Sequence, residues 1–88
     1  MKITNWDKVK EGTLLIVSWN DIVEDSSWIS DSKAQAYPSP LCKTIGWFIN
    51  DDELSIRISW SVADNGDKSI GVIPKGCIRD IKKIIYKR

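Results

Sequence analysis

Apolar and polar residues alternate most regularly over residues 54–62, LSIRISWSV. One set of alternate positions is apolar throughout and consists of Leu54, Ile56, Ile58, Trp60 and Val62. This period of two predicts a β-strand with one buried face and one solvated face, and it places Trp60 in the core. Residues 42–50, CKTIGWFIN, are rich in β-branched and aromatic side chains. The polar residues that follow them predict a tight turn and an antiparallel hairpin with residues 54–62.

Three further segments complete a predicted set of five strands. Residues 13–21, TLLIVSWND, are apolar at successive positions, as in a strand that is covered on both faces. The Asn-Gly pair at 65–66 favours a chain reversal before residues 69–73, SIGVI, because both residues tolerate positive φ. Residues 78–85 place isoleucines at helical spacing, and a helix stays open as an alternative. Their β-branched content and short length favour a final strand with an irregularity.

The connections between these segments carry their own signals. Pro74 ends the fourth strand because proline has no N–H for a ladder, and residues 73–77, IPKGC, predict a single tight turn before the last strand. Near the N-terminus, Asn5 as N-cap and Gly12 as C-terminal stop predict a short helical turn. Residues 22–41 have no hydrophobic period and predict a long loop, which in so small a domain is typical of a functional or disordered segment.

The predicted fold class is all-β, a small five-stranded SH3-like barrel formed by one domain over residues 1–88. Five short strands leave two sheet edges to hide, and curling the sheet into a barrel hides them. Gly46 and Gly71 suit such a barrel because glycine permits a tight bend or a close backbone approach. A chain of 88 residues is too short for two separate cores.

Composition narrows the functional classes. Thirteen basic and twelve acidic residues leave a formal charge of +1, which provides no global attraction for nucleic acid or membrane. The chain has two cysteines and no histidine, so we expect no metal site and no cofactor. No apolar run is long enough to span a membrane and no signal peptide is recognisable, so we expect a cytoplasmic protein with no membrane partner. Catalysis is not expected, because Cys42 and Cys77 have no neighbouring residues that lower a thiol pKa.

The strongest candidate for a binding surface is residues 19–28, WNDIVEDSSW, with three carboxylates between two tryptophans. Exposed indoles with an acidic rim suit a cation, an arginine or lysine side chain, or a base with exposed amines. The predicted binding residues are Trp19, Asp21, Glu24, Asp25, Trp28 and Trp47. The alternative interpretation is that Trp28 folds back as a lid over one barrel end while the carboxylates remain solvated.

Two other functional classes stay open. The C-terminal segment is basic, and a nucleic-acid-binding protein would use Lys75, Lys82, Lys83, Lys87 and Arg88 on phosphates with a tryptophan stacked on a base. A virion structural or self-assembling protein would instead use exposed tryptophans and an unpaired barrel edge to form a homo-oligomer.

The order of elements resembles SH3-like barrels, in which a long loop follows strand one and a Pro-containing 3₁₀ turn precedes the last strand. The segment TIGWFINDDELSIRIS is similar to the Sm-like branch of these barrels, which implies ring assembly and RNA binding. The combination of residues 19–21, Trp28, Gly46-Trp47 and residues 73–76 resembles small uncharacterised proteins of bacteriophages and prophages. That resemblance implies an accessory protein in the bacterial host cytoplasm. Its expected partner is a host protein or a small ligand, and its expected role is to counteract a host defence.

Overall fold

The computed structural model describes residues 9–85 and shows one five-stranded antiparallel sheet. The strands are β1 (Leu14–Asn20), β2 (Leu41–Asp51), β3 (Ser55–Ser59), β4 (Gly71–Pro74) and β5 (Ile78–Lys83). They lie in the order β4-β3-β2-β1-β5, so the chain forms a meander and β5 then returns to pair with β1. The all-β prediction and its five strands are confirmed. The sheet curls like a barrel. It is not closed, because β4 and β5 do not pair with each other among the described residues.

The sheet bends where its ladders skip a residue. Between β2 and β3 the register passes from Phe48↔Ile58 to Asn50↔Arg57, which leaves Ile49 unpaired. Such bulges increase the local twist and help a sheet to curl. At Gly46 the two strands approach so closely that a Cβ atom would lie 2.7 Å from the carbonyl oxygen of Ser59. The expected close approach at Gly46 is therefore present, and only glycine fits there.

The core is formed by the inward-facing residues of the curled sheet. Its fully or nearly fully buried members are Leu15, Val17, Phe48, Ile56, Ile58, Ile73 and Ile78. Val9, Trp19 and Ile81 pack against this cluster while remaining partly exposed. All five strands contribute to the core or to its margin, and the loop between β1 and β2 contributes nothing.

The prediction that Trp60 belongs to the core is wrong. β3 ends at Ser59, and the side chain of Trp60 is 52% exposed. The Ser69 hydroxyl accepts hydrogen bonds from the backbone N–H groups of Trp60 and Ser61, both at 3.0 Å, and so ends the strand. Leu54 and Val62 lie beyond the two ends of β3 and are also exposed. The alternation of the sequence therefore continues past the strand that it predicts.

The turn between β2 and β3 is organised by Asp52. Its carboxylate accepts hydrogen bonds from the N–H groups of Leu54 and Ser55, both at 2.9 Å, and pairs with Arg57 at 2.7 Å. The bond from Arg57, followed by the two backbone bonds, lowers the pKa of Asp52 to about 2. The polar residues of the predicted turn thus hold the hairpin in place.

Pro74 occupies the last position of β4 for a geometric reason. The N–H of Lys75 donates to the carbonyl of Leu54 at 2.7 Å, so Lys75 directs its backbone groups toward β3. Because alternate residues of a strand point to opposite sides, the nitrogen of Pro74 faces the free edge of β4, where no donor is needed. A 3₁₀ turn, Lys75–Cys77, follows directly and leads into β5. The predicted tight turn is therefore confirmed.

The segment at 78–85 forms a strand rather than a helix. β5 covers Ile78–Lys83, and its register with β1 passes from Trp19↔Ile78 to Ser18↔Asp80. Arg79 is the extra residue and forms the irregularity predicted for this strand. The helical turn predicted to begin at Asn5 lies outside the described residues. Gly12 lies in a turn with φ of +88°, a conformation that favours glycine.

The segment between β1 and β2, residues 21–40, is exposed at every position and contains one short helix. This helix, α1 (Asp31–Gln35), was not predicted from the hydrophobic pattern because none of its residues is buried. Ser30 is its N-cap and accepts a hydrogen bond from the N–H of Lys33. Gln35 donates to Asp31 at 2.7 Å across one helical turn. Local hydrogen bonds therefore stabilise α1.

Candidate functional site

An apolar cleft with a volume of about 270 Å³ opens beside β4. We call it the tryptophan cleft, and it is lined by Trp19, Thr44, Trp60, Gly71, Val72, Ile73 and Pro74. Trp19, near the end of β1, and Trp60, the residue after β3, both contribute indole rings to this cavity. Thr44 is the lining residue whose hydroxyl accepts a bond from one of these indoles. The cleft can therefore take an apolar group or the flat face of a cation.

Trp19 is held in place by the sheet. Its indole Nε1–H donates to the hydroxyl of Thr44 at 2.9 Å, and its ring packs against the buried core. Trp19 lies between Cys42 on β2 and Ile78 on β5, beside the bulge at Arg79. This arrangement fixes the ring, so a ligand that binds there meets a preformed surface rather than a mobile side chain.

The position of the Trp60 ring depends on the absence of a side chain at Gly71. A Cβ atom on Gly71 would lie 2.8 Å from Cζ3 of the Trp60 ring, so the indole lies against the β4 backbone at a position that only glycine leaves free. The close approach expected at Gly71 is therefore present, with a tryptophan as the neighbour. About half of the Trp60 side chain remains exposed and available for contact.

The loop between β1 and β2 begins two residues after Trp19. Residues 21–40, here named the acidic loop, contain four carboxylates and one lysine, which gives a formal charge of −3. The N–H of Asp21 donates to the carbonyl of Pro40 at 3.0 Å, and the hydroxyl of Ser39 donates to the carbonyl of Asp21 at 2.8 Å. These two bonds close the base of the loop next to the tryptophan cleft.

Asp25 organises the middle of the acidic loop. Its carboxylate accepts hydrogen bonds from the Ser27 hydroxyl at 2.6 Å, the Ser27 N–H at 2.9 Å and the Tyr37 hydroxyl at 2.7 Å. The Ser27 hydroxyl, followed by Tyr37 and the Ser27 N–H, lowers the pKa of Asp25 to about 2. The bond to the carboxylate in turn raises the pKa of Tyr37. Asp25 is therefore a negatively charged tether across the loop at neutral pH.

Trp28 lies in the acidic loop with its side chain completely exposed, at 102% of the reference area. A fully exposed ring covers nothing, so the alternative in which Trp28 closes one barrel end is not what the structure shows. It also does not stack with Trp19, which packs against the core. Asp21 and Glu24 are exposed as well. Of the predicted binding residues, Trp19 therefore lines the cleft, whereas Asp21, Glu24, Asp25 and Trp28 lie in the loop beside it.

Trp47 lies on the opposite face of the sheet. It is paired with Leu14, whereas the inward-facing Trp19 is five positions further along β1 and therefore points to the other side. Trp47 lines a separate cavity of about 300 Å³ together with Glu11, Val62 and Lys68. The structure does not bring Trp47 together with Trp19.

The basic residues of the nucleic-acid alternative are dispersed. Lys75 pairs with Asp51 at 2.6 Å and is mostly buried. Lys82 and Lys83 are consecutive residues of β5, so their side chains leave opposite faces of the sheet. Lys87 and Arg88 lie outside the described residues. The described lysines of this set therefore do not form one continuous basic surface.

Sequence reasoning missed three residues of this region, namely Thr44, Trp60 and Tyr37. Trp60 was assigned to the core on its phase in an alternating segment, and no local pattern shows that β3 ends one residue earlier. The separation of Trp19 from Trp60 along the chain hides their proximity. The tyrosine in AYPSP was the available signal for Tyr37, since a tyrosine hydroxyl in a polar segment can find a hydrogen-bond partner there.

In residues 9–85, no group of three or more His, Asp, Glu or Cys side chains is arranged to hold a metal ion. No helix in the described part of the chain has the length and hydropathy that crossing a bilayer requires. Comparison with protein-family models, curated proteins and solved structures found no match to this chain.

Proposed function

We propose that this protein is a non-enzymatic binding module that recognises a positively charged partner through the tryptophan cleft and the acidic loop. The observation that carries the proposal is the cleft itself, where two indoles face one apolar cavity beside a loop of charge −3. Aromatic faces bind cations with about 0.5–2 kcal/mol each, depending on desolvation. A partner that combines apolar and basic groups uses both features.

The exposed indole of Trp28 adds a second point of contact. A completely exposed tryptophan is unusual, because folding then buries none of its large apolar ring. Burial of that ring against a partner is favourable, and tryptophans dominate the energetics of many interfaces. Its neighbours in the acidic loop, Glu24 and Asp25, provide negative charge. We place the partner contact across the cleft and along this loop.

The resemblance to phage and prophage proteins supports a host protein in the bacterial cytoplasm as the partner. On this proposal the module acts stoichiometrically, by occupying a surface of the host protein, and counteracts a host defence. The chemistry of the site adds that the occupied surface is basic with exposed apolar side chains.

The test is a quantitative capture from bacterial lysate with wild-type protein and matched variants, each shown to be folded by circular dichroism. Trp28→Ala and Trp60→Ala should reduce capture of the same host protein, whereas Lys82→Glu/Lys83→Glu should not. Trp47→Ala is a control for loss of an indole on the opposite face. Equal capture by wild type, Trp28→Ala and Trp60→Ala would refute the proposal.

If the protein instead binds nucleic acid, the same variants should give the opposite pattern of effects. Affinity for single-stranded DNA or RNA would fall steeply with salt, because phosphate contacts release counterions. Charge reversal at Lys82 and Lys83 would then abolish binding, and the acidic loop would be unimportant.

A further inference from the structure

The outer edge of β4 carries backbone groups that no described strand pairs with. Because Lys75 directs its N–H toward β3, Ile73 and Gly71 do the same and the residues between them face outward. The N–H and C=O of Val72 and the C=O of Pro74 therefore point to the free edge. Pro74 contributes no donor there, so Val72 has the one outward donor of β4.

This edge also borders the tryptophan cleft. Val72, Ile73 and Pro74 line the cavity on one side, and Trp19 lies on the other. A chain laid along β4 would continue the sheet at the place where it fails to close. Since side chains alternate in a strand, every second side chain of that chain would enter the cleft between the two indoles.

The charge beside the tryptophan cleft indicates the occupant. The acidic loop, whose base closes two residues after Trp19, has a formal charge of −3, and Arg79, which donates to the side chain of Asn20 at that base, contributes +1. The combined charge of −2 for the loop and Arg79 favours a basic chain and disfavours an acidic one. The apolar lining of the cleft requires that the side chains directed into it be apolar.

We propose that the ligand is an extended peptide segment with alternating basic and apolar residues, which binds by adding a strand to the free edge of β4. The proposal rests on the binding function proposed above and specifies its partner chemistry. The peptide backbone bonds to Val72 and Pro74, its apolar side chains fill the tryptophan cleft, and its basic side chains face the acidic loop.

The decisive variant is Val72→Pro, because proline removes the outward N–H without removing a bond to β3, as Pro74 already shows in the same strand. Val72→Thr is the matched control, since threonine keeps the N–H and the β-branched shape. The probe is a short synthetic peptide, blocked at both ends, in which lysine and valine alternate. A second peptide with glutamate in place of lysine tests the charge requirement. Binding is measured by calorimetry after circular dichroism confirms that each variant is folded.

We expect saturable binding of the lysine peptide to wild type, and binding to Val72→Pro that is at least about tenfold weaker than binding to Val72→Thr, which keeps the N–H. The glutamate peptide should bind more weakly than the lysine peptide. Deuterium exchange at the Val72 amide should slow when the peptide binds. If Val72→Pro fails to fold, this protection of the Val72 amide in wild type decides the question instead.

Equal binding to wild type and Val72→Pro, or no slowing of exchange at Val72, would overturn strand addition. The proposed binding function would still be tested separately, by whether Trp28→Ala and Trp60→Ala capture less of the host protein than wild type does. Absence of lysine-peptide binding also overturns the inference. So would a concentration-dependent dimer of wild type that Val72→Pro abolishes, since the occupant of the edge would then be a second copy.

Discussion

The curvature of the sheet depends on a side chain that is missing at Gly46. Its Cβ position lies 2.7 Å from a carbonyl oxygen of β3, and a backbone atom in a ladder cannot move away without breaking its hydrogen bonds. Gly71, on the other side of β3, also permits a close approach, because the absence of a Cβ atom leaves room for the Trp60 ring. The two glycines lie on the two strands that flank β3: Gly46 permits the bend of the sheet, and Gly71 permits one wall of the cleft.

At this scale we predict that Gly46→Ala destabilises the fold by about 1–3 kcal/mol, the usual cost of overpacking a well-ordered site. Urea denaturation measures the change in the free energy of unfolding. Gly76→Ala is the matched control, because a Cβ atom there meets nothing within 4 Å. A Gly46→Ala variant as stable as the Gly76→Ala control would show that β2 and β3 are further apart than described.

Single residues also show what sequence patterns can and cannot establish. The alternation of Ile56 and Ile58 correctly predicts burial because both lie inside a ladder, whereas Trp60 has the same phase but lies beyond the last paired residue. The difference depends on Ser69, nine positions away, whose hydroxyl bonds to the Trp60 N–H. Such a long-range partner leaves no periodic signal.

At the scale of elements, the strands were predictable and their ends and the loop were not. Runs of β-branched residues and the Asn-Gly turn identify all five strands, since these features act locally. α1 was missed because its residues are exposed and no apolar face identifies it. The tryptophan cleft could not be predicted because it joins the end of β1 to β4 across the open side of the sheet.

The Asp25–Tyr37 tether predicts a pH response of the acidic loop. The pKa of Asp25 is lowered, so the tether is fully present above the ordinary carboxyl value of 3.8 and is lost as pH falls through about 2. At the alkaline end, Tyr37 should ionise above its ordinary value of 10.0. Ultraviolet absorbance titration of a Tyr86→Phe variant follows Tyr37 alone.

Asp25→Asn should return the titration of Tyr37 toward the ordinary tyrosine value, because it removes both the carboxylate acceptor and its charge. Glu24→Gln removes a neighbouring charge and should have little effect. If Asp25→Asn leaves the titration unchanged, Tyr37 does not donate to Asp25 in solution.

The acidic loop should be dispensable for folding. Its base is held by the Asp21 to Pro40 hydrogen bond, and none of residues 21–40 is buried. Replacement of residues 22–39 by Asn-Gly leaves a hairpin-sized turn, and the shorter loop has a smaller closure entropy. We expect unfolding free energy equal to or above that of wild type, measured by urea denaturation, and loss of partner capture. A large loss of stability would mean that the loop packs on the sheet.

At the scale of the whole molecule, a formal charge of +1 conceals an uneven distribution. The acidic loop lies at one end of β1, and β5 ends in two lysines at the other end, beside Leu15 and Ile16. The net charge of the whole chain therefore says little about which partner is attracted. Local fields close to the surface decide this, since charges beyond about 10 Å are screened at about 0.1 M salt.

We therefore predict that binding of the basic partner weakens as ionic strength rises from about 0.05 M to about 0.5 M, because screening removes the attraction of the acidic loop. Calorimetry on wild type and on an Asp21→Asn/Glu24→Gln variant measures the effect. The variant should bind more weakly at low salt and approach wild type at high salt. An affinity that is independent of salt in both proteins would show that the cleft alone recognises the partner.

The return of β5 to β1 has a consequence for how quickly the chain can find its fold. Hairpins between β2, β3 and β4 join residues that are near in sequence, whereas Val17 meets Ile81 from 64 positions away. Such distant pairings raise the mean separation of contacts and are associated with folding times on the order of milliseconds to seconds. Until β5 arrives, Leu15 and Val17 lack one flanking strand. The pairing with the largest separation along the chain is thus also one that completes the shielding of the core.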